Sequence, residues 1–306
     1  MIQQPKNPIL VSGAHRSGST WVGQVLSRAN GLGYMHEPLN PIYPTPNKSP
    51  IHTWYFYISA HNHDRYYNFI KNTLNWNYQS GARFGGINNK YKAMMWLKYN
   101  HIFLKNKGTT PLVKDPIAFF SAPWLYEQFN AQVIMLIRHP AAFVYSLKRK
   151  DWQFPFKHLL KQDALLHDWL KNFEGEIVEF SKNQKDIIEQ ACLVWRIIYA
   201  TLKQYQQQYK QWIYLKHEDI SANPLNEFET LFKQLSLDFD NKVKEYIVSS
   251  SSASNPKGTN ADEEQLKRDS SSNIKYWKNK MSADEINRIR ELTQDVWPLY
   301  YDETSW

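Results

Sequence analysis

Pro8-Ile9-Leu10-Val11-Ser12-Gly13-Ala14-His15-Arg16-Ser17-Gly18-Ser19-Thr20 is the stretch that decides the fold. Residues Pro8–Ser12 form a short apolar run of the kind buried as a strand. Gly13–Thr20 follows as a Gly/Ser-rich loop with the outline G-x-x-x-x-G-K-[ST], except that Ser19 stands at the Lys position. Trp21–Ala29 then carries Trp21, Val22, Val25 and Leu26 at helical spacing. Strand, loop and helix in this order set backbone N–H groups at a helix N-terminus, where an anion is held. The hydroxyls of Ser17, Ser19 and Thr20 add donors, and Arg16 supplies a cation inside the loop. A Gly/Ser turn that only caps a helix reads the same way, so the loop has to be weighed with the rest of the chain.

Working outward, the pattern of strand, sharp turn and helix repeats. Gly31–Met35 reads as a strand ending at His36-Glu37-Pro38, and Pro111–Val113 as one ending at Lys114-Asp115-Pro116. Gln132–Ile137 is a continuous apolar run suited to a central parallel strand, and Arg138-His139-Pro140 turns it into a helix over Ala141–Lys148. Trp212–Leu215 is a last strand, followed by Glu218-Asp219-Ile220. Further helices are expected over Phe119–Phe129, Ala191–Gln208, around Asn226–Leu235 and over Ser282–Val296, where Ser282 and Glu285 have capping-box spacing. Four prolines make Asn40–Pro50 a loop, Ile51–Lys107 reads as an aromatic-rich helical insertion, and Asp151–Lys185 as mixed helix and loop. Ser249–Ser272, rich in Ser, Asn, Lys and Asp, reads as a flexible lid or loop.

Strands alternating with helices predict an α/β, three-layer fold with a mostly parallel central sheet and helices on both faces. A single domain over residues 1–306 is expected, with its core at about 8–40 and 110–300 and the insertion at about 41–110. In such folds ligands sit at the C-terminal ends of strands, which is where the three charged motifs fall.

Composition narrows the function. The excess of 37 basic over 29 acidic residues, +8, suits an anionic ligand. No Lys/Arg block or nucleic-acid module accompanies it, so nucleic acid is not an expected partner. One cysteine, Cys192, rules out an internal disulfide, and with no Cys/His cluster no metal is expected. Met1–Pro8 lacks the pattern of a secretory signal, and no apolar run reaches the length of about 20 residues needed to span a membrane, so the default compartment is cytoplasmic. Arg138, with Ser146 eight residues on, is a candidate second anion clamp, although an Arg capping the sheet reads equally well from these residues alone.

Taken together, His15-Arg16-Ser17-Gly18-Ser19-Thr20-Trp21 resembles the 5'-phosphosulfate loop of sulfotransferases that use 3'-phosphoadenosine-5'-phosphosulfate (PAPS). Arg138-His139-Pro140 with Ser146 resembles their 3'-phosphate motif. Lys114-Asp115-Pro116 and Glu37 resemble the matching positions of tyrosylprotein sulfotransferases and related bacterial enzymes, and Glu218-Asp219-Ile220 a further family stretch, with His217 in place of its Tyr. The segment before Trp277 resembles the one that closes over the nucleotide, with Arg268 and Ser270 as candidate contacts. The resemblance implies a P-loop-like sulfotransferase fold, PAPS as cosubstrate, and a hydroxyl acceptor on a small molecule, glycan or lipid-like alcohol.

Sulfonyl transfer needs a base, positive charge where negative charge builds, and in-line placement of the two oxygens. Glu37 is the expected general base and His36, which titrates near pH 6.5 when unperturbed, its rival. Arg16 and Lys114 are the expected electrostatic stabilisers, and Asp115 either orients Lys114 or caps the following helix. The rings between Tyr43 and Tyr99, among them Trp54, Tyr55, Tyr57, Tyr66, Tyr67, Trp76, Tyr78 and Trp96, are the expected acceptor wall, with an aromatic core as the alternative. Two other functions share the outline. A P-loop nucleoside or sugar kinase is disfavoured by Ser19, because that Lys neutralises nucleotide phosphates. A nucleotide-binding module without catalysis is disfavoured by Glu37, Arg16 and Lys114 occurring together.

Overall fold

The computed structural model describes residues 7–42, 49–77, 90–256 and 269–306. Five strands, β1 (Ile9–Gly13), β2 (Leu32–His36), β3 (Thr110–Lys114), β4 (Gln132–Ile137) and β5 (Ile213–Lys216), form one sheet in the order β2-β3-β1-β4-β5. Every pairing is parallel, and the register sets Leu10 beside both Val113 and Val133.

Period-two alternation sorts the strand side chains into two cores. Leu10, Val113, Val133, Met135 and Ile137 join a large apolar cluster on one face. Ile9, Val11, Leu112, Ile134 and Leu136 join a smaller one on the other. Both faces of the central strands are therefore buried, which is why they read as continuous apolar runs rather than as alternating ones. The smaller cluster is closed by α1 (Ser19–Leu26), through Val22, Val25 and Leu26, together with helices Pro224–Gln234 and Asn241–Ser251. The larger is closed by α2 (His63–Leu74), α4 (Ala122–Phe129), α5 (Pro140–Arg149) and the long helix Ile187–Gln208; α3 (Lys90–Asn106) adds Phe103 to it. This is the expected α/β architecture with helices on both faces.

The chain leaves β1 toward β2 and β3 on one side and later returns to β4 and β5 on the other. The strand order thus reverses at the C-terminal end of β1, the position where open α/β sheets bind ligands.

Some expectations change. The serine run Ser249–Ser252 is not a loop start, because Ser249–Ser251 are the last residues of helix Asn241–Ser251. Asp240 caps that helix by accepting from Val243 N–H at 3.0 Å, and the buried pair Val243 and Ile247 anchors it. The hydroxyls of Ser250 and Ser251 donate back to the Ile247 carbonyl at 3.1 and 2.7 Å, so serines of low helix propensity are tolerated. The helix expected over Phe119–Phe129 begins as a 3-10 turn, Pro116–Ser121, capped by Asp115 through Ile117 N–H at 3.0 Å. The capping box at Ser282 and Glu285 is present. Among the described residues no helix is long and apolar enough to cross a membrane.

Candidate active site

The turn after β1 is built from backbone shapes that side chains resist. Arg16 lies at φ 68° and Gly18 at φ 95°. A Cβ on Gly18 would come within 2.4 Å of the His217 ring, so glycine is required there both for its torsion and for the close approach of that ring. Gly18 ends the loop as the N-cap of α1 and offers no capping side chain, and the first N–H groups of a helix have no intrahelical acceptor. Ser19 and Thr20, expected before the helix, occupy its first turn instead.

A cavity of about 220 Å³ opens over this turn. It is lined by His15, Arg16 and Gly18–Trp21 from the loop and by Arg138 and Ser146 from β4 and α5, so the two anion motifs, more than one hundred residues apart in sequence, share one space. They also touch. Arg138 Nη1 donates to the Arg16 carbonyl, and Arg16 Nε donates to Ser146 Oγ at 3.0 Å. Two buried polar atoms of these motifs, Ser17 Oγ and Arg138 Nε, have no hydrogen-bond partner among the described residues. Of the two, Arg138 belongs to the cavity lining, where its Nε is a donor suited to an anion.

Arg138 is held firmly. Its N–H donates to Tyr199 Oη at 2.9 Å, and its carbonyl accepts from Trp195 Nε1 at 2.9 Å, so Trp195 is a core residue that braces the site. Beyond it, Glu218 accepts from His139 N–H at 3.0 Å and from Tyr301 Oη at 2.9 Å. Arg149, from the last turn of α5, also lines the cavity, and sequence reading missed it because it has no place in either motif.

Glu37 follows β2 at φ 47°, a left-handed conformation that a non-glycine residue adopts only under constraint. Its N–H donates to the Lys114 carbonyl at 2.8 Å. Its side chain lines the cavity while Oε2 accepts from Asn40 Nδ2 at 2.7 Å. Oε1 is ion-paired with Lys114 Nζ. Lys114 itself is 1% exposed and stands behind Glu37 rather than on the cavity wall, whereas sequence reasoning set it directly against the reacting group. Asp115 accepts from Leu39 N–H at 2.7 Å as well as from Ile117 N–H, which makes it the capping residue of the two expectations. Burial, with Glu37 nearby, pushes its carboxyl up to about 8. His36 faces Tyr34, with Nδ1 at 3.1 Å from the hydroxyl, and lies off the cavity lining.

Arg16 lines the cavity as well, and the bond from its Nε to Ser146 Oγ ties it to the α5 side of the site. His15 faces the cavity beside Trp54 and Trp152. Trp21 donates from Nε1 to Ser250 Oγ at 3.0 Å. Ser270 lines the cavity and donates to the Ser221 carbonyl at 2.9 Å, while Arg268 lies outside the described residues.

The expected acceptor wall is mostly core. Tyr55 and Trp76 are buried, and Tyr57, Tyr66 and Tyr67 pack against the large cluster. Tyr78 lies outside the described residues, as does the side chain of Trp96. From that stretch Trp54 reaches the cavity, joined by Trp152 from the segment read as mixed helix and loop, and by Ile42, Pro116 and Ile117. Among the described residues no group of three or more His, Cys, Asp or Glu side chains is arranged to hold a metal.

Among solved structures, the chain is similar to three sulfotransferases, the first of which shares the fold. A sulfotransferase domain from the curacin biosynthetic pathway is 14% identical, with a TM-score of 0.51 over 97% of this chain and 99% of that one. A sulfotransferase domain from the olefin synthase of Synechococcus PCC 7002 is 15% identical, with a TM-score of 0.44 over 98% of each chain. A mouse sulfotransferase in complex with PAP is 12% identical, with a TM-score of 0.48 over 98% of this chain and 86% of that one. No curated protein matches the sequence. A model of the sulfotransferase family matches residues 8–241, well over half the chain and all of the strands and loops just described, and the chain therefore belongs to the sulfotransferase family.

Proposed function

We propose that this sulfotransferase takes its sulfonate from PAPS and passes it to an acceptor hydroxyl, with Glu37 as general base. The observation that carries the reading is the single cavity shared by the Arg16 loop and the Arg138/Ser146 pair, because one nucleotide with phosphates at both ends can then engage both. The unpartnered Nε of Arg138, a residue that lines this cavity, fits such a ligand. The amides and hydroxyls of Gly18–Thr20 would hold the 5'-phosphate, and Arg138 with Ser146 the 3'-phosphate, with Arg16 joining the latter pair. A kinase reading is set aside by the family and by Ser19 at the Lys position.

PAPS supplies an activated sulfonate, whose sulfur bonds the acceptor oxygen as its bond to the 5'-phosphate oxygen breaks. The acceptor's hydroxyl proton goes to Glu37, which lines the cavity where His36 does not. The ion pair gives this transfer a second effect. Once Glu37 is protonated it no longer neutralises Lys114, and a full positive charge is uncovered behind the transfer point as negative charge passes to the departing 5'-phosphate. Trp54, Trp152, Ile42, Pro116 and Ile117 would give the acceptor an apolar, aromatic approach. The test is incubation of the protein with PAPS and a metabolite extract, followed by mass spectrometry for products gaining a sulfonate. Products that form with wild type and vanish with Glu37→Ala support the proposal; the absence of any such product with wild type refutes it.

A further inference from the structure

His15 and Tyr55 form a unit that the mechanism above does not use. Tyr55 Oη is 2.7 Å from His15 Nδ1 and also accepts the backbone N–H of His15 at 3.0 Å. Both residues are buried, and His15 is ringed by Trp54, Phe143, Trp152 and Phe154 with centroids 5.3–6.4 Å away. Tyr55 holds its hydroxyl there from a backbone at φ 52°, an outlier for a bulky residue and a mark of local constraint.

Proton counting then fixes the imidazole. A phenol has one hydrogen to donate and can accept two. Burial raises the Tyr55 phenol far above its ordinary range, so it keeps its proton. One of its acceptor sites is taken by the His15 N–H, and among the described residues Tyr55 has no other acceptor for its own hydrogen than His15 Nδ1. If Nδ1 carried a proton, two N–H groups would converge on the phenol oxygen and the phenol hydrogen would be buried without an acceptor, which costs about 1–3 kcal/mol. Nδ1 is therefore the acceptor. Burial and the neighbouring Arg16 charge lower the imidazole to about 3, so it is neutral and its one proton sits on Nε2. Nε2 has no partner among the described residues, and His15 lines the cavity on the Trp54/Trp152 side.

We propose that His15 is a neutral hydrogen-bond donor to a sulfonate oxygen of the donor, with its proton fixed on Nε2 by Tyr55. This rests on the PAPS reading. It adds a contact at the transfer end beside Arg16, whose Nε is engaged by Ser146 Oγ. A neutral donor with a fixed proton stabilises charge on the sulfonate without contributing a proton of its own to the reaction. Tyr55 is a positioning residue, acting through His15.

Two measurements test this. Long-range proton–nitrogen correlation spectra of protein labelled with nitrogen-15 in histidine report the tautomer directly, the His15 signals being those lost in His15→Gln. The ligand-free wild type is expected to show protonated Nε2 and bare Nδ1, and Tyr55→Phe to show a mixture; an Nδ1–H or charged ring in wild type overturns the proposal. Calorimetric titration then compares PAPS with 3',5'-adenosine bisphosphate (PAP), which lacks the sulfonate. His15→Phe keeps a ring among its aromatic neighbours but has no donor, and should lose about 10- to 100-fold in PAPS affinity with PAP affinity within about twofold. His15→Gln, whose amide nitrogen lies near the Nε2 position, should recover much of the loss. Equal loss for both nucleotides, or no loss for either, overturns the sulfonate contact. If wild type binds neither nucleotide, the donor assignment falls and the sulfonate contact falls with it, while the tautomer spectrum still decides the His15–Tyr55 arrangement.

Discussion

Glu37→Gln asks the sharpest question of the site, because the structure gives Glu37 two tasks. Its carboxylate faces the cavity and also neutralises Lys114, a lysine 1% exposed. Removing one member of a buried pair leaves the other charge uncompensated and costs about 3–5 kcal/mol. Losing the Glu37 charge removes one of the two causes that hold the nearby Asp115 carboxyl up. Asp115 then ionises more readily and takes over part of the pairing, so the lower end, about 3 kcal/mol, is expected. Lys114→Met should cost less, about 1–2 kcal/mol, because Glu37 keeps its Asn40 bond and is 14% exposed. In Glu37→Gln with Lys114→Met the two losses should not add, since the second change removes the stranded ammonium; the coupling should be about 2 kcal/mol. Urea unfolding of the four proteins measures it. Transfer activity should separate differently. Both proteins carrying Glu37→Gln should lose transfer by about 10²- to 10⁴-fold, as expected for a lost general base, whatever their stability. Stability losses that add within about 0.5 kcal/mol would refute the pairing, and activity returning in the double variant would refute the base.

Three further outcomes follow from the same geometry. Gly18→Ala, which needs φ 95° and drives a Cβ into the His217 ring, should weaken PAP binding by at least about tenfold in calorimetry, because at least about 1–2 kcal/mol of strain falls on the loop. Ser146→Ala removes the acceptor of Arg16 Nε and a proposed 3'-phosphate contact; it should weaken PAP about tenfold while leaving adenosine 5'-phosphate, which lacks the 3'-phosphate, nearly unchanged. His139 is buried against Trp277 at 5.1 Å between centroids, and burial with Lys278 and Lys275 nearby lowers it to about 3. The unfolded chain binds this proton below pH 6.5 and the folded one does not until about pH 3, so stability falls with pH across that window. Relative to His139→Gln, wild type should lose about 1 kcal/mol between pH 6 and pH 5 in urea unfolding; a difference that stays flat contradicts a neutral His139.

Much of the frame was legible because its signals are local. The run Gln132–Ile137 is strand β4 to the residue, and the turns at His36-Glu37, Lys114-Asp115 and Arg138-His139 all fall where strands end. The gathering of the Arg16 loop with Arg138 and Ser146 follows from strand order, since β1 and β4 are neighbours. What stayed hidden depends on pairing across the chain. Arg16 reaches Ser146 and Glu37 covers Lys114 through contacts 130 and 77 residues apart, and no residue pattern encodes those partners. Tyr55 and Trp76 look like surface rings for a ligand, yet they fill the core because the segment bearing them packs on the larger sheet face. Trp152 comes from a stretch without periodicity, where only the folded path brings it beside His15 and Trp54. The serines of Asn241–Ser251 misled because their composition is that of a loop, while Val243 and Ile247, four apart and buried, decided for a helix.

A crystal structure of the protein with PAP addresses the central claim most directly. One nucleotide should span the cavity, its 5'-phosphate on the amides of Gly18–Thr20 and its 3'-phosphate on Arg138 and Ser146. A 3'-phosphate pointing to solvent, or a nucleotide bound away from the Arg16 loop, would contradict the account.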